Sequence, residues 1–358
     1  MKKIFFTPGP SQVYPTIQKH ILNALKDDIL SISHRSKEFE KIYQSASSGL
    51  KDLLKIPNNY QIFFISSGTE AMERIIQNCV HKHSHHFING SFSERFFDTA
   101  KELGKEPTKT ESTFGEGFDF KTNKIPKDTE LICFTQNESS SGVSLPIKEI
   151  DKISKLNPNK LITLDIVSSV PYVNLNYRML DVVFFSVQKG FGLPAGLGVL
   201  IVSPKAINKA KILIKKGVGI GSYHNFISLL RYAEKNQTPD TPSVLEIYLL
   251  GKVIEDMKTF GIDKIRKQTE QKAKLIYDFL DNHKSFSPFV RNKIFRSQTI
   301  ITVNVGDKQK IIKNYLNELG FIVGSGYGQH KDTQIRISNL PAHSISDIKR
   351  LIAALKKY

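Results

Sequence analysis

The chain of 358 residues is long enough for two domains, and with 40% hydrophobic and 24% charged residues it has the composition of an ordinary globular protein. No apolar run approaches the roughly 20 residues that span a bilayer, and two cysteines make no disulfide framework, so we expect a cytoplasmic protein with no membrane partner. The net charge of +17 comes from lysines scattered along the chain, which favours a solvated surface over a nucleic-acid partner.

The first part of the chain alternates helical patterns with short apolar runs. Apolar residues recur at helical spacing over 36–55, and a strand at Gln61–Ile65 precedes a helix from Thr69 to about Val80. The later runs lack in–out alternation, which is typical of strands covered on both faces in a mostly parallel sheet. These runs are His86–Ile88, Leu131–Phe134, Leu161–Leu164, Val182–Phe185 and Leu197–Val202.

The last third of the chain has a different pattern. Pro239 and Pro242 precede helices predicted at 243–259 and 262–281. The elements predicted after them are strand 297–305, helix 308–319, strands 320–324 and 333–338, and helix 344–356. We therefore predict an α/β fold in which residues 16–250 form a large domain, with a mostly parallel sheet flanked by helices. Residues 251–358 form a smaller C-terminal α+β domain, and residues 1–15 pack beside it.

Four histidines, His81, His83, His85 and His86, lie just before and at the start of one predicted strand. No carboxylate or cysteine stands near them at the spacing of metal ligands. We therefore predict no metal site in this segment.

Lys189 lies at the end of the apolar run Asp181–Gln188 and precedes a glycine-rich segment, 190–198. A lysine at a strand end is commonly a solvated terminus, but a desolvated lysine is the nucleophilic amine that condenses with an aldehyde. Asp165 ends an earlier apolar run. A lysine for the aldehyde and an acid for the pyridine nitrogen are the two groups that a pyridoxal phosphate enzyme must supply.

Two small-residue turns also follow predicted strands. Ser66–Glu70 joins a strand to a helix, where free N–H groups attract anions and Gly68 lets a phosphate approach. Glu70 also has capping-box spacing from Ser67, so the turn has a purely structural alternative. The second loop is 137–142. Because parallel strands end at one edge of a sheet, we expect these loops to converge with Asp165 and Lys189.

The chain resembles the class V, fold-type I pyridoxal phosphate aminotransferases nearly end to end, and within that family it is most similar to the branch that acts on phosphoserine. The resemblance is most specific in the segment around Lys189 and in Ser33–Phe39. The supporting segments are Thr7–Pro10, Asn137–Ser139, Asp165, Pro194–Gly196, Asp240–Pro242 and Ile335–Ser338.

The resemblance implies roles for individual residues. Lys189 would attach the cofactor and move a proton at the substrate, and Asp165 would keep the pyridine nitrogen protonated. Phe92 would stack on the cofactor ring where the family often has tryptophan, although core packing is the plainer interpretation of this residue. Thr241 would contact the cofactor of the neighbouring subunit, which implies a homodimer. The further cofactor contacts that the resemblance implies are Gly68, Thr69, Ser139 and Gln188.

The resemblance also implies anionic amino acids and 2-oxo acids as substrates. Arg336 would hold the α-carboxylate, and His34 and Arg35 would help hold the distal phosphate or carboxylate. His330 and Lys331 stand near the position of a His-Arg pair in the family and would be less directional phosphate partners.

The implied reaction is transfer of the amino group of L-glutamate to 3-phosphohydroxypyruvate. The turn at 66–71 reads more like the serine/alanine–glyoxylate branch, which stays open as the alternative substrate class. A cysteine desulfurase-like lyase is less favoured because Cys79 and Cys133 are predicted to face inward. The remaining alternative is a basic binding protein with a vestigial cofactor fold.

Overall fold

Two β-sheets and a short hairpin organise residues 3–120 and 124–357, the part of the chain that the computed structural model describes. The strands are β1 (Ile4–Phe6), β2 (Gln61–Ile65), β3 (His83–Ile88), β4 (Glu106–Glu111), β5 (Leu131–Thr135), β6 (Asn137–Glu138), β7 (Val143–Ser144), β8 (Leu161–Asp165), β9 (Val182–Ser186), β10 (Gly198–Val202), β11 (Ser287–Pro288), β12 (Ile300–Asn304), β13 (Phe321–Ser325) and β14 (Gln334–Ser338).

Helices cover these sheets, and several of them begin at a side-chain cap. Ser36 caps α2 and Ser344 caps α11 by accepting a hydrogen bond from a backbone N–H of the first turn. The helices are α1 (Ile17–Lys26), α2 (Lys37–Leu54), α3 (Gly68–Cys79), α4 (Ser91–Glu102), α5 (Ile147–Leu156), α6 (Pro204–Lys215), α7 (Phe226–Ala233), α8 (Val244–Phe260), α9 (Ile262–Asp281), α10 (Gln309–Glu318) and α11 (Ile345–Leu355).

The large sheet has the order β2-β10-β9-β8-β5-β3-β4 among the described strands. Strands β9, β8, β5, β3 and β4 are parallel, whereas β10 runs antiparallel to both of its neighbours. Alternate residues of β2 enter different cores, because Phe64 packs on one face of the sheet and Phe63 on the other. The predicted mostly parallel sheet with helices on both faces is confirmed.

The small sheet has the order β1-β13-β14-β12-β11 in the described chain. Its core is formed by one face of the sheet and by helices α9, α10 and α11. Strand β1 pairs in parallel with β13, so the start of the chain lies in the sheet that is otherwise made by its end. Helix α9 bridges the two regions, because Ile265 packs in a core of the large sheet and Ala273 in that of the small one. The domain boundary near residue 250 stays a prediction.

Some predicted elements differ from the structure. The strand predicted over 297–305 begins only at Ile300, because the Ser297 hydroxyl accepts hydrogen bonds from the N–H groups of Thr299 (3.2 Å) and Ile300 (2.9 Å) and makes a turn there. Strand β4 was not predicted, because it is a polar edge strand with no apolar run. Among residues 3–120 and 124–357, no helix has both the length and the apolar character that crossing a bilayer requires.

The histidine tract lies largely in β3 and forms ordinary hydrogen bonds. The two ring nitrogens of His85 lie 2.8 and 3.0 Å from the hydroxyls of Thr108 and Thr110. His86 is fully buried, and its Nε2 lies 2.9 Å from the hydroxyl of Ser84. These contacts account for two of the four histidines as structural residues.

Burial of His86 predicts acid sensitivity. An unfolded histidine titrates near pH 6.5, whereas burial lowers the pKa of His86 to about 3. Below about pH 6.5, His86 therefore binds a proton in the unfolded chain but not in the folded protein. The stability that depends on the neutral ring is present above that pH and is lost as the pH falls. We expect His86→Gln to reduce the loss of unfolding free energy between pH 7 and pH 5 by about 2 kcal/mol. Urea denaturation at both pH values measures this loss.

The control for this experiment is His81→Gln, which changes an exposed histidine of the same tract. The control should lose as much stability on acidification as the unchanged protein. Equal losses in His86→Gln and His81→Gln would show that His86 does not carry the acid sensitivity.

Candidate active site

A cavity of about 260 Å³ lies at the carboxyl ends of β5, β8 and β9, beside the first turn of α3. The register of the sheet creates this convergence, because Asp165 at the end of β8 lies opposite Thr135 of β5 and Phe184 of β9. The predicted site residues that line the cavity are Gly68, Thr69, Phe92, Ser139, Asp165, Gln188, Lys189 and Arg336.

Lys189 is the buried amine of this cavity, with 8% of its surface exposed. Its Nζ donates a hydrogen bond to the Ser139 hydroxyl (3.1 Å) and lies 5.2 Å from the centroid of the Phe92 ring. Burial lowers the pKa of Lys189, and the nearby carboxylate of Asp165 opposes that shift in part. A lowered pKa makes the neutral, nucleophilic amine more accessible near neutral pH.

Asp165 supplies a buried carboxyl group to the same cavity. Its Oδ1 accepts a hydrogen bond from the N–H of Val167 (2.8 Å). Burial raises the pKa of Asp165, and the Val167 N–H and the Lys189 amine offset this only partly. A cationic hydrogen-bond donor beside Asp165 would favour its ionised form, and a protonated pyridine nitrogen is such a donor.

The turn before α3 has the predicted strand–turn–helix form, and two of its N–H groups are already bonded within the chain. The Ser67 hydroxyl accepts from the N–H of Glu70 (3.0 Å), and the N–H of Gly68 donates to the Ser186 hydroxyl (2.7 Å). The Glu70 carboxylate does not complete a capping box, because it accepts from the N–H and hydroxyl of Ser66 and lies 2.5 Å from Nδ1 of His224. A Cβ at Gly68 would lie 2.9 Å from the Ser186 Oγ, so the turn packs closely on β9.

The residues present fit pyridoxal phosphate. Two buried oxygens in the cavity wall, Thr135 Oγ1 and Gln188 Oε1, have no hydrogen-bond partner in the described part of the chain. Buried polar atoms in native proteins are normally satisfied, so these oxygens point to a polar ligand. Together with the amine of Lys189 and the carboxyl of Asp165, they match a cofactor that has an aldehyde, a basic ring nitrogen and polar substituents.

Arg336 and two aromatic rings form the mouth of the cavity. The Arg336 guanidinium donates from Nε to the carbonyl of Ser325 and from Nη1 to the carbonyl of Ser139, both at 2.8 Å. Its Cζ lies 5.3 Å from the centroid of the Tyr327 ring, and that ring lies 6.0 Å from the ring of Phe92. The backbone therefore fixes the guanidinium, which is a suitable partner for a carboxylate.

Five predicted site residues do not line the cavity of their own chain. The guanidinium of Arg35 donates to the carbonyls of Thr238 (2.6 Å) and Pro239 (3.3 Å), close in sequence to the exposed Thr241. His34 precedes Arg35 and is half-buried. His34, Arg35 and Thr241 therefore belong to one surface region, and none of them lines the cavity of its own chain.

The predicted pair near the C-terminus also lies outside the cavity. The His330 ring stacks on Phe114, with centroids 5.4 Å apart, and lies 5.0 Å from the ring of Phe289. The side chain of Lys331 is exposed. This chain thus offers neither residue to its own cavity.

The prediction missed several residues that shape the cavity. Tyr327 carries no sequence signal beyond its place between two glycines. Gly9 belongs to a segment singled out for its resemblance, yet its contact is visible only in the structure: a Cβ there would lie 2.7 Å from Cε of Lys189. Glu138 is fully buried and binds the backbone on both sides of the site.

Comparison with known proteins supports the same assignment. The profile of the family described as Aminotransferase class-V matches residues 5–351. A phosphoserine aminotransferase from Cytophaga hutchinsonii, of known structure, is 49% identical, with a TM-score of 0.98 over 99% of this chain and 98% of that chain. The phosphoserine aminotransferase of Rhodococcus opacus is 26% identical over 98% of this chain and 93% of its own length. An alanine–glyoxylate aminotransferase from Nostoc shares the fold, with a TM-score of 0.80 and 20% identity over 100% of this chain and 95% of that chain.

The contact between Gly9 and Lys189 gives a test of the site. Gly9 has φ +153°, which side chains rarely adopt, and an added methyl group would meet the lysine side chain. We expect Gly9→Ala to reduce covalent labelling of Lys189 by pyridoxal phosphate about tenfold. Borohydride trapping followed by peptide mass mapping measures this labelling.

Gly104→Ala is the matched control. Gly104 also has a positive φ, +69°, but an added Cβ there would meet no heavy atom within 4 Å. The control should label normally. Unchanged labelling in Gly9→Ala would contradict the close approach of this loop to Lys189.

Proposed function

Because the chain belongs to the class-V aminotransferase family, we propose that it transfers the amino group of L-glutamate to 3-phosphohydroxypyruvate, forming O-phospho-L-serine and 2-oxoglutarate. The observation that carries the proposal is that Lys189, Asp165 and Arg336 line one cavity. The 49% identity to a phosphoserine aminotransferase over nearly the whole chain supports this substrate class.

The chain would bind pyridoxal phosphate through the residues that line the cavity. When bound, the cofactor would supply an aldehyde, which takes up the amino group with loss of water, and a ring that withdraws electrons from the substrate Cα. The carboxylate of Asp165 would accept a hydrogen bond from the protonated ring nitrogen and hold that proton in place. The N–H and hydroxyl of Thr69 at the start of α3 would bind the phosphate, and Gly68 would let it approach the backbone.

Lys189 would act as the general base and acid once its amine is free. Its burial keeps the pKa below that of a solvated lysine, so the amine can take a proton from the substrate Cα near neutral pH. The hydroxyl of Ser139 accepts a hydrogen bond from Nζ and limits where the amine can lie.

Arg336 would bind the substrate α-carboxylate. Two of its nitrogens are held by the carbonyls of Ser325 and Ser139, so the guanidinium loses little freedom when a carboxylate binds. Tyr327 covers one face of the guanidinium and limits access of water to it.

We further propose a two-fold homodimer in which His34, Arg35 and Thr241 complete the site of the partner subunit. These residues lie together on the surface rather than at their own cavity. Exposed leucines of the neighbouring segment, Leu22, Leu25 and Leu30, give this surface the apolar character of an interface.

A serine/alanine–glyoxylate type aminotransferase is the second candidate. The turn at 66–71 favours it, and His330 and Lys331 add no cation to the cavity for a phosphate. A cysteine desulfurase-like activity is not supported, because Cys79 and Cys133 are buried and lie in a core of the large sheet. Burial also raises the pKa of both thiols, which opposes formation of a reactive thiolate.

The substrate proposal is tested with glutamate as donor and a panel of 2-oxo acids as acceptors. We expect kcat/KM for 3-phosphohydroxypyruvate to exceed that for glyoxylate and for pyruvate by about 100-fold or more, since a desolvated phosphate contact has a large effect on binding. The control Lys189→Ala should lower every activity by about 100- to 10,000-fold. Efficient use of glyoxylate or pyruvate without use of the phosphorylated acid would overturn the proposal in favour of the second candidate.

Subunit complementation tests the proposed dimer. Lys189→Ala removes the amine and Arg35→Ala removes the proposed contact to the partner's substrate, so each variant alone should transaminate 3-phosphohydroxypyruvate poorly. A heterodimer of the two variants has one intact site. Coexpression should therefore restore about a quarter of the unmodified activity if subunits assort at random. No recovery in a verified heterodimer would contradict sharing of Arg35 between subunits.

A further inference from the structure

Glu138 is a fully buried carboxylate with an unusually complete set of partners. One oxygen, Oε2, accepts hydrogen bonds from the N–H groups of Phe92 (3.1 Å) and Ser93 (2.9 Å) and from the Ser93 hydroxyl (3.0 Å). The other, Oε1, accepts from the N–H (3.1 Å) and hydroxyl (2.6 Å) of Ser140. These partners belong to two separate segments of the chain, the start of α4 and the loop at 137–142.

The first turn of α4 stabilises this negative charge. Glu138 binds N–H groups that have no partner within the helix, and it lies at the positive end of the helix dipole. Hydrogen bonds from N–H groups to a carboxylate are stronger than neutral ones, especially where water is excluded. The carboxylate therefore holds the start of α4 firmly against the loop.

The two segments joined by Glu138 carry opposite walls of the cofactor cavity. Phe92 lies in the first turn of α4, and its ring centroid is 5.2 Å from the amine of Lys189. Ser139 lies in the loop, where its hydroxyl accepts from the same amine (3.1 Å) and its carbonyl accepts from Arg336 (2.8 Å). The Glu138 side chain thus sets the position of the Phe92 ring and of the hydrogen-bonding groups of Ser139.

Packing leaves Glu138 little freedom to occupy another position. A Cβ at Gly90 would lie 2.4 Å from Cγ and 2.6 Å from Cδ of Glu138. The backbone before α4 therefore approaches the carboxylate as closely as a residue without a side chain allows. This close approach and the five hydrogen bonds together select one conformation of the side chain.

We propose that Glu138 is a positioning residue that fixes the Phe92 ring and the Ser139 hydroxyl against the bound cofactor. The proposal rests on the cofactor site described above and does not depend on which 2-oxo acid is the acceptor. Glu138 acts through Phe92 and Ser139 and does not line the cavity itself. The alternative is that Glu138 only caps α4 and supports the fold.

Cofactor affinity in a double-mutant cycle separates these two roles. Glu138→Gln keeps the shape of the side chain but places an NH₂ group against N–H donors. We expect the Kd for pyridoxal phosphate to rise by about tenfold to a hundredfold, the effect typical of losing hydrogen bonds to a charged group. Phe92→Leu removes the ring, so in that background Glu138→Gln should raise the Kd several-fold less. Absorbance titration with the cofactor measures all four affinities, and visible circular dichroism of the bound cofactor should weaken in Glu138→Gln.

Glu94→Gln is the matched control, because Glu94 is an exposed carboxylate in the same first turn of α4. It should leave cofactor affinity and dichroism unchanged. Equal effects of Glu94→Gln and Glu138→Gln, or losses that simply add in the cycle with Phe92→Leu, would overturn the proposal. If Glu138→Gln does not fold, Ser140→Ala decides, since it removes the 2.6 Å hydrogen bond to Glu138 together with the acceptor of the Ser91 N–H (3.0 Å), the two side-chain contacts of Ser140 that hold the loop to the start of α4; an unchanged Kd would then overturn the proposal. Failure of the unmodified protein to bind the cofactor would instead contradict the proposed function.

Discussion

The site is built around two buried groups of opposite charge, Asp165 and Lys189, at one edge of the large sheet. Asp165 and Lys189 are each more than nine-tenths buried, and burial disfavours the charged form of both. A protein tolerates this cost only where other groups stabilise the charges, and here the N–H of Val167 and the hydroxyl of Ser139 do so in part. A ligand that carries a cation would further stabilise the Asp165 carboxylate, and an electrophile on the same ligand would react with the amine of Lys189. The large sheet and the loops at its edge hold these two side chains where such a ligand fits.

The sequence predicted the parts of the fold that are controlled by burial. The apolar runs of β5, β8 and β9 leave little alternative to a strand covered on both faces, and helical spacing over 36–55 predicts α2. Pairing direction depends on contacts distant in sequence, so the reversal of β10 could not be predicted from its composition. Strand β4 was missed for a related reason, because it is stabilised by its single neighbour β3 and not by apolar side chains.

The site was predictable only where chemistry demands a particular residue type. Lys189 and Asp165 are the residue types that the cofactor chemistry requires, and the parallel strands that they follow or end place them together. Glu138 could not be recognised, because its importance lies in the two backbone segments that it joins. His330 lies outside the cavity of its own chain with its ring stacked on Phe114, and its role in substrate binding stays a prediction. The residues proposed to act across subunits, His34, Arg35 and Thr241, lie outside their own cavity.

The position of β1 has a consequence for the order in which the protein matures. Ile4 pairs with Phe321, and the loop that follows β1 brings Gly9 against Lys189. Strand β1 is therefore synthesised long before its partner β13, and the pairing is a contact of very long sequence separation. A chain interrupted before β13 would lack the partner of β1, so the strand that leads into the Gly9 loop would be left unpaired.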